Sequence, residues 1–408
     1  MQYRSLLAPT AILTAAALTA TACGSRGGDA AGGSDKNAVV IGVDAPLTGS
    51  LSAIGLGIKN SVDLATKIAN KNGEVPGVTF KVQALDDQAQ PSAGQQNAAK
   101  LVADSSVVGV VGPYNSGVAQ SMQKVFDQAN VTEVSPANTS PDLTQGPNWK
   151  SGAKTRPFHS YFRTSTTDAL QGPFGANYAF KHAHKKKVFL IDDKLTYGVG
   201  LVSTFKTQFT KLGGQVVGQD HVAEKQKDFS ATVARVKASG ADFVYYGGQY
   251  PEAAPLSAQL KAGVHIPVMG GDGIFDPTYI KLAGAARAQG DMATSVGTPL
   301  ETLPTAKKFI TDYQSAGYKE PYAAYGGYSY DAAWAIIQAV KAAVAANNGK
   351  LPEKPRPQVL AAMSKLSFKG VTGKVAFDEF GDTLNKQLTI YLVKGGQWAA
   401  VKSGTFTG

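Results

Sequence analysis

Several apolar runs of this 408-residue sequence are followed by side chains that can bind ions. Ser116 follows the run "VVGVV", and Thr139 lies in the loop after "VTEVS". Asp272 lies between glycines in "GGDG", after a third apolar run. Two hydroxyls beside the free N–H groups of a helix N-terminus can bind a carboxylate, and Asp272 can bind a cation. Together they predict a site that holds a zwitterion by both ends, and an α-amino acid is the simplest such ligand.

Tyr197 and Gln249 also follow apolar runs and extend this candidate site. Each candidate also has a plain structural explanation, because Ser and Thr cap helices or turns, Asp occurs in turns, and an aromatic ring packs on a surface. The sequence leaves both explanations open for Ser116, Thr139, Asp272, Tyr197 and Gln249. A row of tyrosines at 322, 325, 328 and 330 is equally compatible with the packing of a helix face.

The candidate residues need a scaffold that brings strand ends together, and the rest of the sequence predicts one. "AVVIGVDAP" is typical of a short buried strand, and "IKNSVDLATKIANKNG" has the apolar spacing of a helix that stops at Gly73. Strands and helices alternate in this way and the pattern restarts around Asp168, which indicates βαβ units and parallel sheets. In open sheets of this kind, ligands bind beyond the carboxyl ends of the strands.

The usual motifs of α/β enzymes are missing from the sequence. "GLGIKN", "GVGLVS" and "GDGIFD" each lack the third glycine of a dinucleotide motif, and "GVTGKV" lacks the spacing of a phosphate loop. "ATSVG" has Ala293 where a nucleophile elbow needs glycine. Five scattered histidines and one cysteine form no metal-binding pattern, and no nucleic-acid motif is present. The sequence therefore favours binding over catalysis, without a metal, a cofactor or nucleic acid.

The N-terminus predicts export and anchoring. Residues 1–22 have a basic start, an apolar centre and small residues at the end, as in a secretory signal peptide. Cys23 follows at the position that is lipidated in bacterial lipoproteins, and residues 23–37 read as a flexible tether. We expect a protein on the outer face of the cytoplasmic membrane, anchored by lipid, with a net charge of +10.

The stretches "PLTGSLSAIG", "SPANTSPDLT" and "KDFSATVARVKASGADFVYYGG" resemble the leucine/isoleucine/valine-binding proteins of ABC importers, which have the type I periplasmic-binding fold. The resemblance implies an α/β fold of two doubly wound parallel-sheet lobes joined by three crossovers. The first lobe would comprise residues 38–165 plus 295–375, and the second 166–294 plus 376–408.

The resemblance also implies roles for the site residues. Ser116 and Thr139 would take the ligand carboxylate together with the backbone at Ala137. Tyr197 would be the aromatic residue from the opposite lobe, and Asp272 would replace the family's usual glutamate as the partner of the ammonium group.

Three other positions depart from the pattern of the leucine binders. Ile54 and Gln249 stand where those proteins carry tyrosine, and Asn115 replaces a cysteine that forms a disulfide in some members. These changes leave open a polar amino acid, an amide or an aromatic acid as the ligand.

The sequence thus predicts a monomeric solute-binding lipoprotein that captures a branched-chain or related amino acid between two closing lobes. It would deliver the ligand to an ABC permease with separate ATPase subunits. A ligand sensor with the same fold is the alternative among binding proteins. A hydrolase is the alternative among enzymes, and it would need a nucleophile and a base in the cleft.

Overall fold

Two sheets organise the part of the chain that the computed structural model describes, which is residues 37–407. The predicted signal peptide, Cys23 and all of the predicted tether before residue 37 lie outside these described residues. Within them, no helix combines the length and the apolar character that crossing a bilayer requires.

The first sheet is parallel throughout, with the strand order β2-β1-β3-β4-β5. Its strands and the helices between them alternate as the sequence predicts. They are β1 (Ala38–Ala45), α1 (Ser52–Asn72), β2 (Thr79–Asp86), α2 (Pro91–Ala103), β3 (Val107–Val111), α3 (Ser116–Gln128), β4 (Thr132–Ser135), α4 (Asp142–Gln145) and β5 (Tyr161–Arg163).

The second sheet repeats this arrangement with the order β7-β6-β8-β9-β10 for its parallel strands. Both sheets therefore reverse their strand order beside the first strand, where doubly wound folds place ligands. The elements are α5 (Asp168–Lys181), β6 (Lys187–Asp192), α6 (Thr196–Lys211), β7 (Gln215–His221), α7 (Ser230–Ser239), β8 (Phe243–Gly247), α8 (Tyr250–Gly263), β9 (Val268–Gly270), α9 (Pro277–Ala283), α10 (Ala285–Ala288) and β10 (Met292–Val296).

The chain then returns to the first sheet and crosses once more to the second. The long helix α12 packs against α1, β3 and β4, and the last two strands extend the second sheet as an antiparallel pair beside β10. The elements are α11 (Lys307–Ser315), α12 (Gly326–Ala346), α13 (Pro355–Met363), β11 (Ser367–Gly370), β12 (Gly373–Ala376), β13 (Leu388–Lys394) and β14 (Gln397–Gly404), and short 3-10 helices lie at Trp149–Ser151, Asp272–Ile274, Leu300–Thr302 and Pro304–Ala306.

The fold is thus the expected pair of doubly wound lobes joined by three crossovers. The first lobe contains the five-stranded sheet and α12, and the second contains the seven-stranded sheet. A buried ion pair joins two of the crossovers, because Arg163 Nε lies 2.6 Å from Asp382 Oδ1. Burial raises the pKa of Asp382, but the charge of Arg163 and the hydrogen bonds to the carboxylate outweigh burial and lower it overall. This buried ion pair therefore links two of the three segments that connect the lobes.

Candidate functional site

The loop between β3 and α3 positions Asn115 and Ser116. Gly112 ends the strand with φ +126°, and a Cβ there would lie 2.0 Å from the carbonyl oxygen of Asp44, so glycine is required for this turn. Asn115 is extended, and its carbonyl oxygen accepts the first hydrogen bonds of the helix. The amides of Ser116 and Gly117 precede those bonds and are available to a ligand carboxylate.

Ala137, in the loop after β4, lines the candidate cavity. Its amide donates to Ser135 Oγ over 3.2 Å, and that hydroxyl donates in turn to the carbonyl oxygen of Pro113 over 2.8 Å. The backbone amide of Ala137, which the resemblance assigns to the ligand carboxylate, is thus already engaged in the closed form.

Thr139 is buried, and its hydroxyl is already engaged. Its Oγ1 lies 2.9 Å from Asp168 Oδ2, and the amide of Asp168 donates to the Thr139 carbonyl oxygen over 2.8 Å. The structure therefore connects Thr139, which was predicted to bind the ligand carboxylate, to Asp168, the first residue of α5, at a crossover between the lobes. No motif in the sequence indicates that partner.

Asp272 follows β9 and is the most heavily hydrogen-bonded acid of the site. Its Oδ1 accepts from Gln171 Nε2 over 2.9 Å and from the Tyr197 hydroxyl over 2.8 Å, and its Oδ2 accepts from the Tyr325 hydroxyl over 2.7 Å. Burial raises the pKa of Asp272, and the three donors oppose this rise. Such donors favour the ionised form that a cation needs.

The glycines around Asp272 have the role expected from the sequence, which is to allow close approach. A Cβ on Gly271 would lie 2.4 Å from the Tyr197 hydroxyl oxygen, and one on Gly273 would lie 2.6 Å from the carbonyl oxygen of Gly248. The amide of Gly273 donates to the Tyr197 hydroxyl over 3.0 Å. Tyr197 is therefore held between this loop and the carboxylate.

Two hydrogen bonds cross between the lobes at this point. The Tyr114 hydroxyl of the first lobe donates to Gln249 Oε1 of the second over 2.6 Å. The Tyr325 hydroxyl, at the start of α12, reaches Asp272 in the second lobe. The rings of Tyr114 and Tyr325 meet edge to face, with 5.4 Å between their centroids. The lobes are thus closed upon each other at the site.

The cavity enclosed by these groups has a volume of about 10 Å³, enough for roughly one water molecule. An amino acid therefore needs the lobes to separate before it can enter. Six of the eight predicted ligand-binding residues line this cavity, with three further ones. The lining comprises Asn115, Ser116, Ala137, Tyr197, Gln249 and Asp272, together with Tyr114, Gly273 and Tyr325.

The other two predicted residues do not line the cavity in this closed form. Thr139 lies behind it on Asp168, and Ile54 is buried in the apolar core with the other inward residues of α1. Tyr325 was visible in the sequence only as part of the tyrosine row, which packing explained equally well. Tyr325 and Asp272 are far apart in the sequence, so their contact could not be predicted from it.

A much larger cavity of about 850 Å³ lies elsewhere between the lobes, beside the second crossover. Its walls are largely apolar and include Phe275, Tyr328, Tyr391 and Trp398. It shares no residue with the smaller cavity. We place the candidate site at the smaller cavity because the buried ionic and amide groups converge there.

Metal chemistry finds no support in the geometry. Within residues 37–407, no group of three or more His, Cys, Asp or Glu side chains could hold a metal ion. The acids of the site are paired with hydroxyl and amide donors.

Comparison with known proteins agrees with the fold. A family model described as "Periplasmic binding protein" matches residues 38–397. The chain belongs to the periplasmic binding protein family. It is therefore an extracytoplasmic solute-binding protein and not an enzyme.

The relatives are similar along most of their length. The Leu/Ile/Val-binding protein homolog 1 of Brucella suis biovar 1 is 32% identical over 352 residues, which are 86% of this chain and 89% of that protein. The leucine-binding protein LivK of Thermotoga maritima is 27% identical with a TM-score of 0.78, and the match covers 90% of this chain and 98% of that one. LivJ of Streptococcus pneumoniae, solved with isoleucine, shares the fold at 24% identity and a TM-score of 0.79, with 90% and 99% covered.

Proposed function

We propose that this protein captures a branched-chain or related α-amino acid between its two lobes and delivers it to a membrane permease. The first lobe would hold the ligand carboxylate at Ser116 and Gly117, with the hydroxyl of Thr139. The second lobe would hold the ammonium group at Asp272, with Tyr197 beside it. In this proposal the lobes comprise residues 38–165 plus 295–375 and residues 166–294 plus 376–408.

The observation that carries the proposal is the pairing of opposite chemistry across one closed cavity. On one wall lie the first amides of α3, which have no side-chain cap among the described residues, and a buried carboxylate with three hydrogen-bond donors lies on the other. A zwitterion can contact both walls only when the lobes are closed. Binding therefore stabilises the closed form, which is the form that a permease can distinguish from the empty protein.

A second ligand class is favoured by two amides in the cavity wall. Asn115 Oδ1 is buried and has no hydrogen-bond partner among the described residues, and Gln249 contributes a second amide nearby. An aliphatic side chain would leave the Asn115 oxygen unsatisfied, whereas a ligand N–H would pair with it. The names of the relatives favour leucine, isoleucine or valine, and these amides favour a polar amino acid or an amide.

A thermal-shift screen of the purified protein tests both ligand classes. The panel comprises the twenty amino acids, small amides and aromatic acids. A ligand at a hundredfold its Kd adds about 2.7 kcal/mol to the free energy of unfolding, so a specific ligand raises Tm visibly. A rise with leucine, isoleucine or valine supports the first class, and a rise only with polar amino acids or amides supports the second. No rise with any α-amino acid contradicts the proposal.

We further propose that lipidation of Cys23 anchors the protein, as a monomer, to the outer face of the cytoplasmic membrane. The support is the lipoprotein-like signal in the sequence. A Cys23→Ser variant should move from the membrane fraction to the soluble extracytoplasmic fraction. An unchanged distribution between the fractions would contradict lipid anchoring and leave the amino-acid proposal untouched.

A further inference from the structure

Gln171 of α5 connects the two ends of the proposed site. Its Nε2 donates to Asp168 Oδ1 and to Asp272 Oδ1, both over 2.9 Å. Its Oε1 accepts from the amide of Asp272 over 3.0 Å and from the Thr294 hydroxyl over 2.9 Å. A backbone N–H can only donate, so the amide oxygen must face it and the NH₂ group must face the two carboxylates.

Two buried carboxylates are therefore joined by one neutral amide. Arg163 is the cation that lowers the pKa of Asp168, and it is itself paired with Asp382. Burial first, and then the charges of the two carboxylates, raise the pKa of two neutral phenols, Tyr197 of α6 and Tyr245 of β8. Burial first, and then the charge of Asp272, raise the pKa of Asp168 to about 8.

We propose that Asp168 and Asp272 together hold a single proton on the Asp168 oxygen that faces Thr139, and that Asp168 thereby directs the Thr139 hydroxyl towards the ligand carboxylate. Asp168 is then a positioning residue, because it acts on the ligand only through Thr139. The inference rests on the proposed function, in which Thr139 helps to hold that carboxylate.

The hydrogen bonds determine where the proton lies. Asp272 accepts from three side chains and Asp168 from at most two, so Asp272 retains the negative charge. Asp168 Oδ1 accepts from Gln171, which leaves Oδ2 for the proton, 2.9 Å from Thr139 Oγ1. A protonated Oδ2 donates to Thr139 Oγ1, and the hydrogen of Thr139 is then free to meet a carboxylate.

Loss of the proton to solvent reverses this hydrogen bond. An ionised Asp168 can only accept, so the Thr139 hydroxyl must donate to it and is withdrawn from the ligand. The same ionisation places a second negative charge close to the proposed carboxylate position. Amino-acid affinity should therefore fall as the pH rises through the pKa of Asp168.

Asp168→Asn tests this inference, because the asparagine amide imitates the protonated carboxyl. Its oxygen can accept from Gln171 while its NH₂ donates permanently to Thr139. Kd is measured by calorimetry from pH 6 to pH 9.5, with L-leucine as the first probe and the strongest hit of the thermal-shift screen in its place if leucine does not bind. The ligand loses its own ammonium proton equally in both experiments, so the ratio of the two Kd values isolates Asp168.

We expect the ratio of the wild-type Kd to the variant Kd to rise by about tenfold across this range, which corresponds to one hydrogen bond to a charged group. Thr139→Val should reduce the alkaline step to the part that comes from the charge of ionised Asp168, and Thr139→Ser should restore the full step. Asp331→Asn is the matched control, since Asp331 is a buried acid of α12 whose partners are Val371 and Thr372. Its profile should keep the wild-type shape. A Kd ratio that does not change with pH overturns the proposal.

A measurement without ligand separates this inference from the proposed function. The folded protein keeps a proton on Asp168 that the unfolded chain releases near pH 4, so wild-type stability falls between about pH 4 and pH 8 and Asp168→Asn escapes this loss. The Tm advantage of the variant should therefore widen from pH 5 to pH 8.

If the Tm advantage widens while no amino acid binds, the shared proton stands and the proposed function fails. If leucine binds while both the Kd ratio and the Tm difference stay flat, the function stands and this inference fails. Should Asp168→Asn not fold, the two Thr139 variants decide on their own.

Discussion

At the carboxyl ends of β3 and β4 the first lobe lines the proposed site with several neutral groups, whereas the second lobe contributes one carboxylate after β9. The parallel strands have the same order in both sheets, so the difference does not come from topology. It comes from the loops: a helix start provides amides at Ser116, and a glycine-flanked turn provides Asp272. In the proposed function, recognition is therefore distributed over several groups in the first lobe and concentrated in one residue in the second.

This comparison predicts that Asp272→Ala has the largest effect on affinity. It removes the only acid among the described residues that lines the cavity and leaves the ligand ammonium group without a counter-charge. Removing one partner of a buried charge pair costs about 2–5 kcal/mol, so Kd should rise by about 30-fold or more in calorimetry.

Asp276→Asn is the matched control for Asp272→Ala. Asp276 is a nearby buried acid that accepts from the amide of Thr278 and lines the other cavity. The control should keep the wild-type Kd within about twofold, since a changed helix cap acts on stability and not on the ligand. Wild-type affinity in Asp272→Ala would show that the ammonium group lies elsewhere.

Ser116→Ala should have a smaller effect, because the variant keeps the backbone amides of the helix start. One hydrogen bond to a charged group contributes about 1.5–3 kcal/mol, and the remaining donors limit the loss, so Kd should rise by about tenfold. Ser121→Ala serves as the control on the same helix, since its hydroxyl donates to the carbonyl oxygens of Pro91 and Val118. A loss as large as that of Asp272→Ala would mean that the first lobe is as concentrated as the second.

The fold followed from the sequence because its signals are local. The alternation of apolar runs and helical spacing can be recognised in each short segment, and α1 stops at Gly73, where the sequence predicts it. The positions of Ser116 and Asp272 followed from the same signals. Each lies a few residues after the end of a strand, so a correctly predicted strand also gives the approximate position of the residue.

The site details that escaped the sequence all depend on partners distant along the chain. Thr139 is engaged by Asp168, and Tyr325 reaches Asp272 from the first lobe. Ile54 is buried in the core and does not line the cavity. No periodicity encodes such contacts, because they form only when separate elements meet.

Buried acids extend the contrast between the lobes to stability. Glu133 of β4 is fully buried in the first lobe, and neither of its carboxylate oxygens has a hydrogen-bond partner among the described residues. Burial first, and then the charge of Asp44, raise the pKa of Glu133 well above its usual value. Three hydrogen-bond donors stabilise the ionised form of Asp272, whereas Glu133 has none within residues 37–407. Asp272 is therefore suited to pair with a cationic ligand group in the proposed function, and Glu133 is not.

Glu133→Leu should therefore stabilise the protein by about 1–3 kcal/mol, because it removes an unsatisfied polar group from an apolar setting. The folded wild type keeps a proton that the unfolded chain releases near pH 4.3, so wild-type stability falls as the pH rises towards the folded pKa. The advantage of the variant should grow with pH in denaturant unfolding at pH 5, 7 and 8. A variant that is less stable than the wild type at pH 8 would mean that Glu133 has a partner, and Glu133→Gln controls for volume.

The smallest effect is expected for Tyr114→Phe, which removes the neutral hydrogen bond to Gln249 across the lobes. Such a bond contributes about 0.5–1.5 kcal/mol, so leucine affinity should change only a few-fold. Its value lies in selectivity, because the variant frees Gln249 Oε1 to accept from a ligand amide. The ratio of glutamine to leucine affinity, measured by competition, should therefore rise by about threefold.

Tyr250→Phe is the matched control for that ratio. It also removes a bond between the lobes, from the Tyr250 hydroxyl to the carbonyl oxygen of Ser50 at 2.5 Å, but Tyr250 does not line the cavity. Weaker closure lowers the affinity for both ligands equally, so the ratio should keep its wild-type value in this control. If the ratio in Tyr114→Phe instead moves towards leucine, Gln249 faces away from the ligand side chain. The second lobe would then contribute only Asp272 and Tyr197 to recognition.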